Sequence, residues 1–515
     1  MSPRLAPFGG GDAPQYDVVV VGAGVVGSMI ARALSRYALR ILLVDKASDV
    51  GEGTTKANTA IVHAGYDAKP GSLKARLNLA GNAMFDTLCA ELEVDFDRCG
   101  TYVVALTDDD LRTLDDLYRR GRENGVPDMA IVPGEALRAA EPGVNASTVG
   151  ALWARSGGIV DPFGLCIAAA ENAVMNGTTV ALDTEVTGFL REGDAPDGRI
   201  AGVITDRGVV RSRWVVIAAG LWADDLMHAA GLDGFTITPR KGEYFVLDKA
   251  AADAVRTVLF PCPTPVSKGI LVTRTIHGNV MLGPNAVDVG AKDDLRTTAD
   301  GLDEVLAGAL GLVPSLNPRH VIRTFAGLRA TGSTGDFVIE APREAPGLVV
   351  LAGIESPGLT ASPAIAEYVV DLLREEGLPL DPRADYDPRR PAPPRVAHLS
   401  PEEHAALIAQ DPRYGHVVCR CETVTEGEIV AAMHRPIPAR TYDALKRRTR
   451  LGSGRCQGGF DLPLVLGIMA RELGVSPLEL TKRGGASRLV QRGTKDVPSR
   501  GTKDVSNRGT TEVPA

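Results

Sequence analysis

Residues 16–45 read YDVVVVGAGVVGSMIARALSRYALRILLVD. YDVVVV is a continuous apolar run of the kind that forms a strand buried on both faces. Gly22-Ala-Gly24-Val-Val-Gly27 follows at once, SMIARALSRY reads as a helix, and RILLVD reads as a second strand ending at Asp45. A lone GxGxxG is weak evidence, but between a strand and a helix, with an acid about 20 residues on, it predicts a dinucleotide site. The glycines permit a tight turn and close approach to a pyrophosphate. The helix start offers free N–H groups, and Asp45 is placed to accept hydrogen bonds from a ribose. A glycine turn without ligand is the alternative, and the full strand–glycine–helix–strand–acid order weighs against it.

Outward from this unit, 515 residues are too many for one core and predict two or three domains. Lys and Arg total 56 against 64 Asp and Glu, a net charge of −8 that argues against nucleic acid as a partner. No run of 18 apolar residues occurs, so no integral membrane segment is expected. Residues 1–15 lack an apolar signal core and read as a flexible lead-in, which makes the expected location cytoplasmic. Seven cysteines in such a chain do not suggest a disulfide scaffold.

Residues 72–145 read mainly helical, with a strand at TYVVAL. Residues 150–225 return to alternating strands and helices, and 226–335 read as β-rich. DFVIEA and LVVLAGI read as strands, and SPGLTASPAIAEYVVDLL as a turn and helix. The Pro- and charge-rich stretch 378–399 reads as a linker, and 400–482 as a small unit holding Cys419, Cys421 and Cys456. Residues 483–515, with the repeats RGTKDVPS, RGTKDVSN and RGTTEVPA, read as a disordered, net basic tail. An electrostatic tether to the acidic body is one use for it, and a solvated tail without function is the other.

Several separated motifs resemble the FAD-dependent glycerol-3-phosphate dehydrogenase and L-2-hydroxyglutarate oxidase group of the D-amino-acid oxidase superfamily. They are VVVVGAGVVG, TTKANTAIVHAGYD, GGIVDPFGL, VIAAGLWADDL, PRKGEYFVLD, SKGILV, NVMLGPNA, FAGLRA and AGIESPGLTASPAIAEYV. The resemblance implies an α/β fold. A discontinuous Rossmann-like FAD-binding domain (16–90, 146–225, 336–377) carries a β-rich substrate domain (91–145, 226–335), and a small helical iron–sulfur-type domain follows. Gly22, Gly24, Gly27, Asp45 and Lys46 are the candidates for the nucleotide half. Thr55 and Thr59 would line the pyrophosphate or flavin, and Gly220 would sit near the dinucleotide. Val186 would meet adenine through its backbone or simply pack in its strand. Gly353 and the helix-opening Gly358, Leu359 and Thr360 would close over the flavin.

Oxidising an alcohol at a flavin requires a positioned C–H, an acceptor for the hydroxyl proton and a clamp for the anionic part of the substrate. Arg329 in FAGLRA is the candidate clamp, since a guanidinium grips a carboxylate or phosphate with two parallel bonds. A structural ion pair with Asp336 or another carboxylate is its other reading. Lys268 in SKGILV is either a second cation of the site or a surface lysine. His63 in IVHAGYD is the candidate proton acceptor, or else a hydrogen-bonded core histidine. Covalent attachment of FAD to a histidine, as in some superfamily members, stays open. Glu243 and Tyr244 either line the pocket or pack in a strand.

Cys419-Arg-Cys421, then 34 residues, then Cys456-Gln-Gly-Gly-Phe-Asp461 resembles the bacterioferritin-associated-ferredoxin-like [2Fe-2S] domain. That family has a fourth cysteine where Asp461 stands. Three readings follow: a cluster on three cysteines and Asp461, a domain that has lost its cluster, or zinc at a Cys₃Asp site. A cluster would pass electrons from FAD to an external acceptor, another redox protein or a quinone. The leading expectation is thus a dehydrogenase of a small anionic secondary alcohol, glycerol 3-phosphate first. L-2-hydroxyglutarate or another 2-hydroxy acid is the rival substrate. A non-catalytic flavoprotein scaffold or electron-transfer subunit is the rival of another class.

Overall fold

The computed structural model describes residues 15–193, 198–263 and 269–493. Lys268 and residues 494–515, which include the octapeptide repeats, lie outside the described residues, as do residues 1–14 of the expected flexible lead-in. Strand β1 (Tyr16–Val21) lies between β2 (Ile41–Val44) and the strand Gly208–Ile217, parallel to both. Its valines alternate between two cores. Val18 and Val20 face one with helix α1 (Val25–Leu34), whereas Val19 and Val21 face the other with Leu226 and Met227. Burial on both faces explains the unbroken apolar run. The strand Leu348–Ala352 continues the parallel sheet beyond Gly208–Ile217, so the chain does return late to complete the nucleotide fold.

A second, nine-stranded sheet is organised around the long antiparallel pair Ile237–Leu247 and Val321–Gly332. Gly150–Ala154 also belongs here, paired with Thr101–Ala105 and with Met129–Pro133. The expected segment 146–225 therefore begins inside this sheet. Met129–Pro133, read as part of a mainly helical stretch, is also a strand. Both differences come from pairing partners distant in sequence.

The C-terminal unit packs the helices Glu426–Met433, Tyr442–Thr449 and Leu462–Leu473 around Ile429, Leu445, Val465 and Met469. The stretch 378–399 is a strap bonded to the first domain rather than a free linker. Arg390, 6% exposed, pairs with the buried Glu171, which Arg435 of the C-terminal unit grips from the other side. Nor does the tail begin at 483: Lys482 N–H donates to Ser487 O and Leu489 N–H to Leu480 O, which folds residues 483–489 back onto the unit. Among the described residues no helix is long and apolar enough to cross a membrane.

Candidate active site

A cavity of about 480 Å³ runs between the two sheets. Of the nucleotide-half candidates, Gly22, Gly24, Asp45, Thr55, Thr59 and Gly220 line it. Gly22 has φ +108° and sits so close to Ala218 that a Cβ would lie 2.4 Å from its carbonyl oxygen. A side chain at Gly22 is thus excluded twice, by conformation and by space. Helix α1 opens at Gly24 with no side-chain cap of its own. Instead Thr55 Oγ1 accepts from the Val25 N–H at 3.0 Å, and Val26 borders the cavity. The Asp45 carboxylate accepts from Ala23 N–H at 2.7 Å and Ala47 N–H at 2.8 Å. Burial pushes its pKa up, and the two amides only partly counter this. A glycine cradle, a helix N-terminus and an acid at its rim fit the pyrophosphate and ribose of a dinucleotide.

Other expected contacts are placed elsewhere. Gly27 does not line the cavity; a Cβ there would lie 1.9 Å from Gly22 O, so its task is the close seat of α1 on the glycine turn. Lys46 lies 3.8 Å over the Trp222 ring and 3.6 Å from Glu185, which turns its side chain away. Val186 pairs with Thr205 in its strand, in line with the packing alternative. Gly353, at φ +66°, packs against Gly332 and Asp336. Gly358 and Leu359 line the cavity, but Thr360 is fully buried behind it. There its hydroxyl accepts from the His63 N–H at 2.9 Å and donates to Ile61 O.

At the other end of the cavity stand His63, Ser356, Tyr244, Arg240 and Arg329. His63 Nε2 is 3.3 Å from Ser356 Oγ, and its carbonyl accepts from Asn82 Nδ2 at 3.0 Å. Helix α2 (Leu73–Leu92) and the helix Gly358–Glu375 thereby fix the backbone that presents this ring. Arg329 donates from Nη2 to Asn285 O at 2.7 Å, while its Nε is buried and unpartnered. Asp336 is occupied elsewhere, accepting from the Leu73 and Lys74 N–H groups at the start of α2. The proposed Arg329–Asp336 pair is not formed. Burial pushes the Tyr244 phenol up to about 12, so it stays protonated, and its ring stacks on Phe325 with centroids 4.5 Å apart. Glu243 points to the opposite face, where it accepts from the Thr298 N–H and hydroxyl. Strand alternation separates these two neighbours.

Arg240 was not among the sequence candidates. It lies directly across from Arg329 in the register of the paired strands, and Asp288 holds it by two bonds of 2.7 and 3.1 Å. The available signal was alternation within PRKGEYF, where Arg240 and Tyr244 share a face. Lys268 lies outside the described residues; Pro263 and Gly269, the described residues on either side of 264–268, line the cavity.

In the C-terminal unit Cys419 is buried, Cys421 exposed and Cys456 intermediate. Asp461 is 1% exposed, with Oδ1 accepting from the Tyr442 hydroxyl at 3.3 Å and Oδ2 buried without a partner. Burial and the neighbouring Asp461 carboxyl push the Cys419 thiol up to about 11. Burial also pushes the Cys456 thiol up, but the Phe460 and Gly458 amides together with Cys421 more than offset this and leave it below its ordinary value. Among the four candidate ligands Cys419 neighbours Asp461 and Cys421 neighbours Cys456, and the Asp461 carboxyl also acts on Cys456. No group of three or more is assembled for a metal among the described residues.

Residues 17–372 match the family model described as FAD dependent oxidoreductase, and residues 417–459 match that of the BFD-like [2Fe-2S] binding domain. The second match ends two residues short of Asp461. A glycerol 3-phosphate dehydrogenase of Caloramator mitchellensis is 45% identical over 93% of this chain and 99% of its own length. An L-2-hydroxyglutarate dehydrogenase of Escherichia coli (strain K12) is 32% identical over 53% of this chain and 64% of its own. The FAD-bound structure of L-α-glycerophosphate oxidase from Mycoplasma pneumoniae superposes with a TM-score of 0.69 at 30% identity, covering 73% of this chain and 99% of that one. With the glycine cradle, Asp45 and the two-sheet cavity in place, the chain belongs to the FAD dependent oxidoreductase family.

Proposed function

We propose that this enzyme oxidises glycerol 3-phosphate to dihydroxyacetone phosphate and delivers the electrons to an external acceptor, a redox protein or a quinone. The observation that carries the reading is the pair Arg240 and Arg329, opposed across two strands at one end of the cavity. Asp288 offsets part of the repulsion between them, and a bound phosphate dianion offers oxygens to both guanidinium groups. FAD, held by the glycine turn at Gly22 and Gly24 and by Asp45, would supply the hydride-accepting chemistry. His63 takes the hydroxyl proton, with Ser356 fixing the ring through Nε2. Tyr244, protonated and stacked, shapes the wall beside the clamp. Lys268 stays a candidate second cation. The similarity to glycerol 3-phosphate dehydrogenase over nearly the whole chain supports this substrate over L-2-hydroxyglutarate, whose dehydrogenases match a shorter part. Steady-state assays should give kcat/KM for glycerol 3-phosphate about a hundredfold above that for L-2-hydroxyglutarate; the reverse order would move the assignment to the hydroxy acid. Arg240→Met should raise KM for glycerol 3-phosphate about tenfold with a much smaller change in kcat, because it removes one charged bond made in ground and transition state alike.

We also infer that Cys419, Cys421, Cys456 and Asp461 hold a [2Fe-2S] cluster. Each iron of such a cluster takes two protein ligands, which suits two neighbouring pairs better than the single convergent set that zinc requires. The unpartnered, buried Asp461 Oδ2 is a donor in need of a cation. The cluster would relay single electrons between FAD and the acceptor. Iron and acid-labile sulfide, assayed after anaerobic purification, should be present in the wild type, retained in Asp461→Cys and lost in Asp461→Ala. Zinc instead of iron in the wild type would contradict the cluster.

A further inference from the structure

The C-terminal unit holds, from behind, the loop that lines the cavity, using two consecutive arginines that do not themselves line it. Arg448, 1% exposed at its side chain, grips Asp49 with two bonds of 2.7 Å each. Arg447 bridges Asp49 Oδ2 at 2.8 Å and Glu52 Oε1 at 2.5 Å, while Glu52 Oε2 takes Lys56 Nζ at 2.6 Å. Asp49 is itself 1% exposed. The segment they hold, 49–56, is the one that builds the nucleotide end of the cavity. Gly51 N–H donates to Ala23 O within the glycine turn, Gly53, Thr54 and Thr55 line the cavity, and Thr55 Oγ1 supplies the missing cap of α1.

We propose that Arg447 and Arg448 are positioning residues of the FAD site, so that the C-terminal domain completes the site in which the first domain binds its cofactor. Two reasons converge. The first is mechanical: the loop carrying Thr54 and Thr55 is tied at its start by a buried charged fork in addition to the Gly51 N–H bond to Ala23 O. The second is electrostatic. Asp49 and Glu52 place two carboxylates near the seat of an anionic pyrophosphate, and without their arginines these would repel it through poorly screened protein interior. The arginines hold the Asp49 carboxyl below its ordinary range against the strong opposing effect of burial, so it is charged whenever the protein works. The inference rests on FAD occupying the cavity.

The test compares three variants of the full-length protein: Arg447→Met, Arg448→Met and Arg435→Met. Arg435 also belongs to the C-terminal unit and also grips a buried acid, Glu171, but Glu171 sits on the helix Pro162–Met175 rather than on the loop 49–56. FAD is removed, its dissociation constant is measured by flavin fluorescence, and the visible bands of the rebound flavin are recorded. Arg447→Met and Arg448→Met should weaken FAD at least tenfold and shift those bands. Arg435→Met should lower thermal stability while binding FAD within about threefold of the wild type. Arg447→Lys, which keeps the charge, should recover most of the affinity, and it remains informative if a methionine variant fails to fold. Equal loss in all three methionine variants would show a general effect of domain docking and overturn the proposal. So would wild-type affinity in Arg447→Met and Arg448→Met. A wild type that binds no FAD would instead overturn the cofactor assignment itself.

Discussion

Replacing Arg329 by methionine lowers kcat/KM for glycerol 3-phosphate by about a hundred- to a thousandfold and leaves the melting temperature nearly unchanged. The size follows from removing one partner of a desolvated charge pair, which costs about 2–5 kcal/mol, at about 1.4 kcal/mol per decade. The melting temperature is spared because Arg329 makes no direct bond to a carboxylate among the described residues, with Asp288 acting on it only at longer range, and has one carbonyl acceptor, Asn285 O. Its buried, unpartnered Nε is a donor held for a ligand rather than for the fold. Lysine at this position should recover only part of the loss, since an ammonium cannot make the planar two-bond contact. Steady-state kinetics with a thermal melt separates the two readings of this residue. A large fall in stability with modest loss of kcat/KM would assign Arg329 to the scaffold.

His63→Gln lowers kcat by about a hundred- to ten-thousandfold, the range for loss of a positioned general base. KM changes little, because the arginines bind the anion and His63 handles the proton. The backbone of His63 is held by Thr360, Asn78 and Asn82 independently of the ring, so the substitution leaves the segment in place. A variant that keeps its kcat would return His63 to the status of a packed core residue.

The sequence made local geometry legible and long-range pairing illegible. Strand, glycine turn, helix and acid follow one another within 30 residues, so the nucleotide cradle was readable from Gly22, Gly24 and Asp45. Arg329 and His63 were readable through family resemblance, and the structure brings both to the same cavity. Arg240 was not, because its meaning depends on standing opposite Arg329 in a register joining residues about ninety positions apart. The same reason hid the strand Met129–Pro133 and the membership of Gly150–Ala154 in the second sheet. The strap at 378–399 reads as a linker because prolines and charges are common in both. Its bonds to the first domain, among them Arg390 to Glu171 and the Asp387 carbonyl to Asn172 and Asn176, reveal that it is bound. Thr360 shows the converse: the helix start was expected beside the flavin, and its hydroxyl instead steadies His63 from behind.

The most direct test of the central claim is an anaerobic visible spectrum of the purified protein during stepwise addition of glycerol 3-phosphate. The account predicts that the flavin bands bleach, and that they reappear on admission of an electron acceptor. Bands that persist through excess glycerol 3-phosphate but bleach with L-2-hydroxyglutarate would contradict the substrate assignment, and bands indifferent to both would contradict the enzyme.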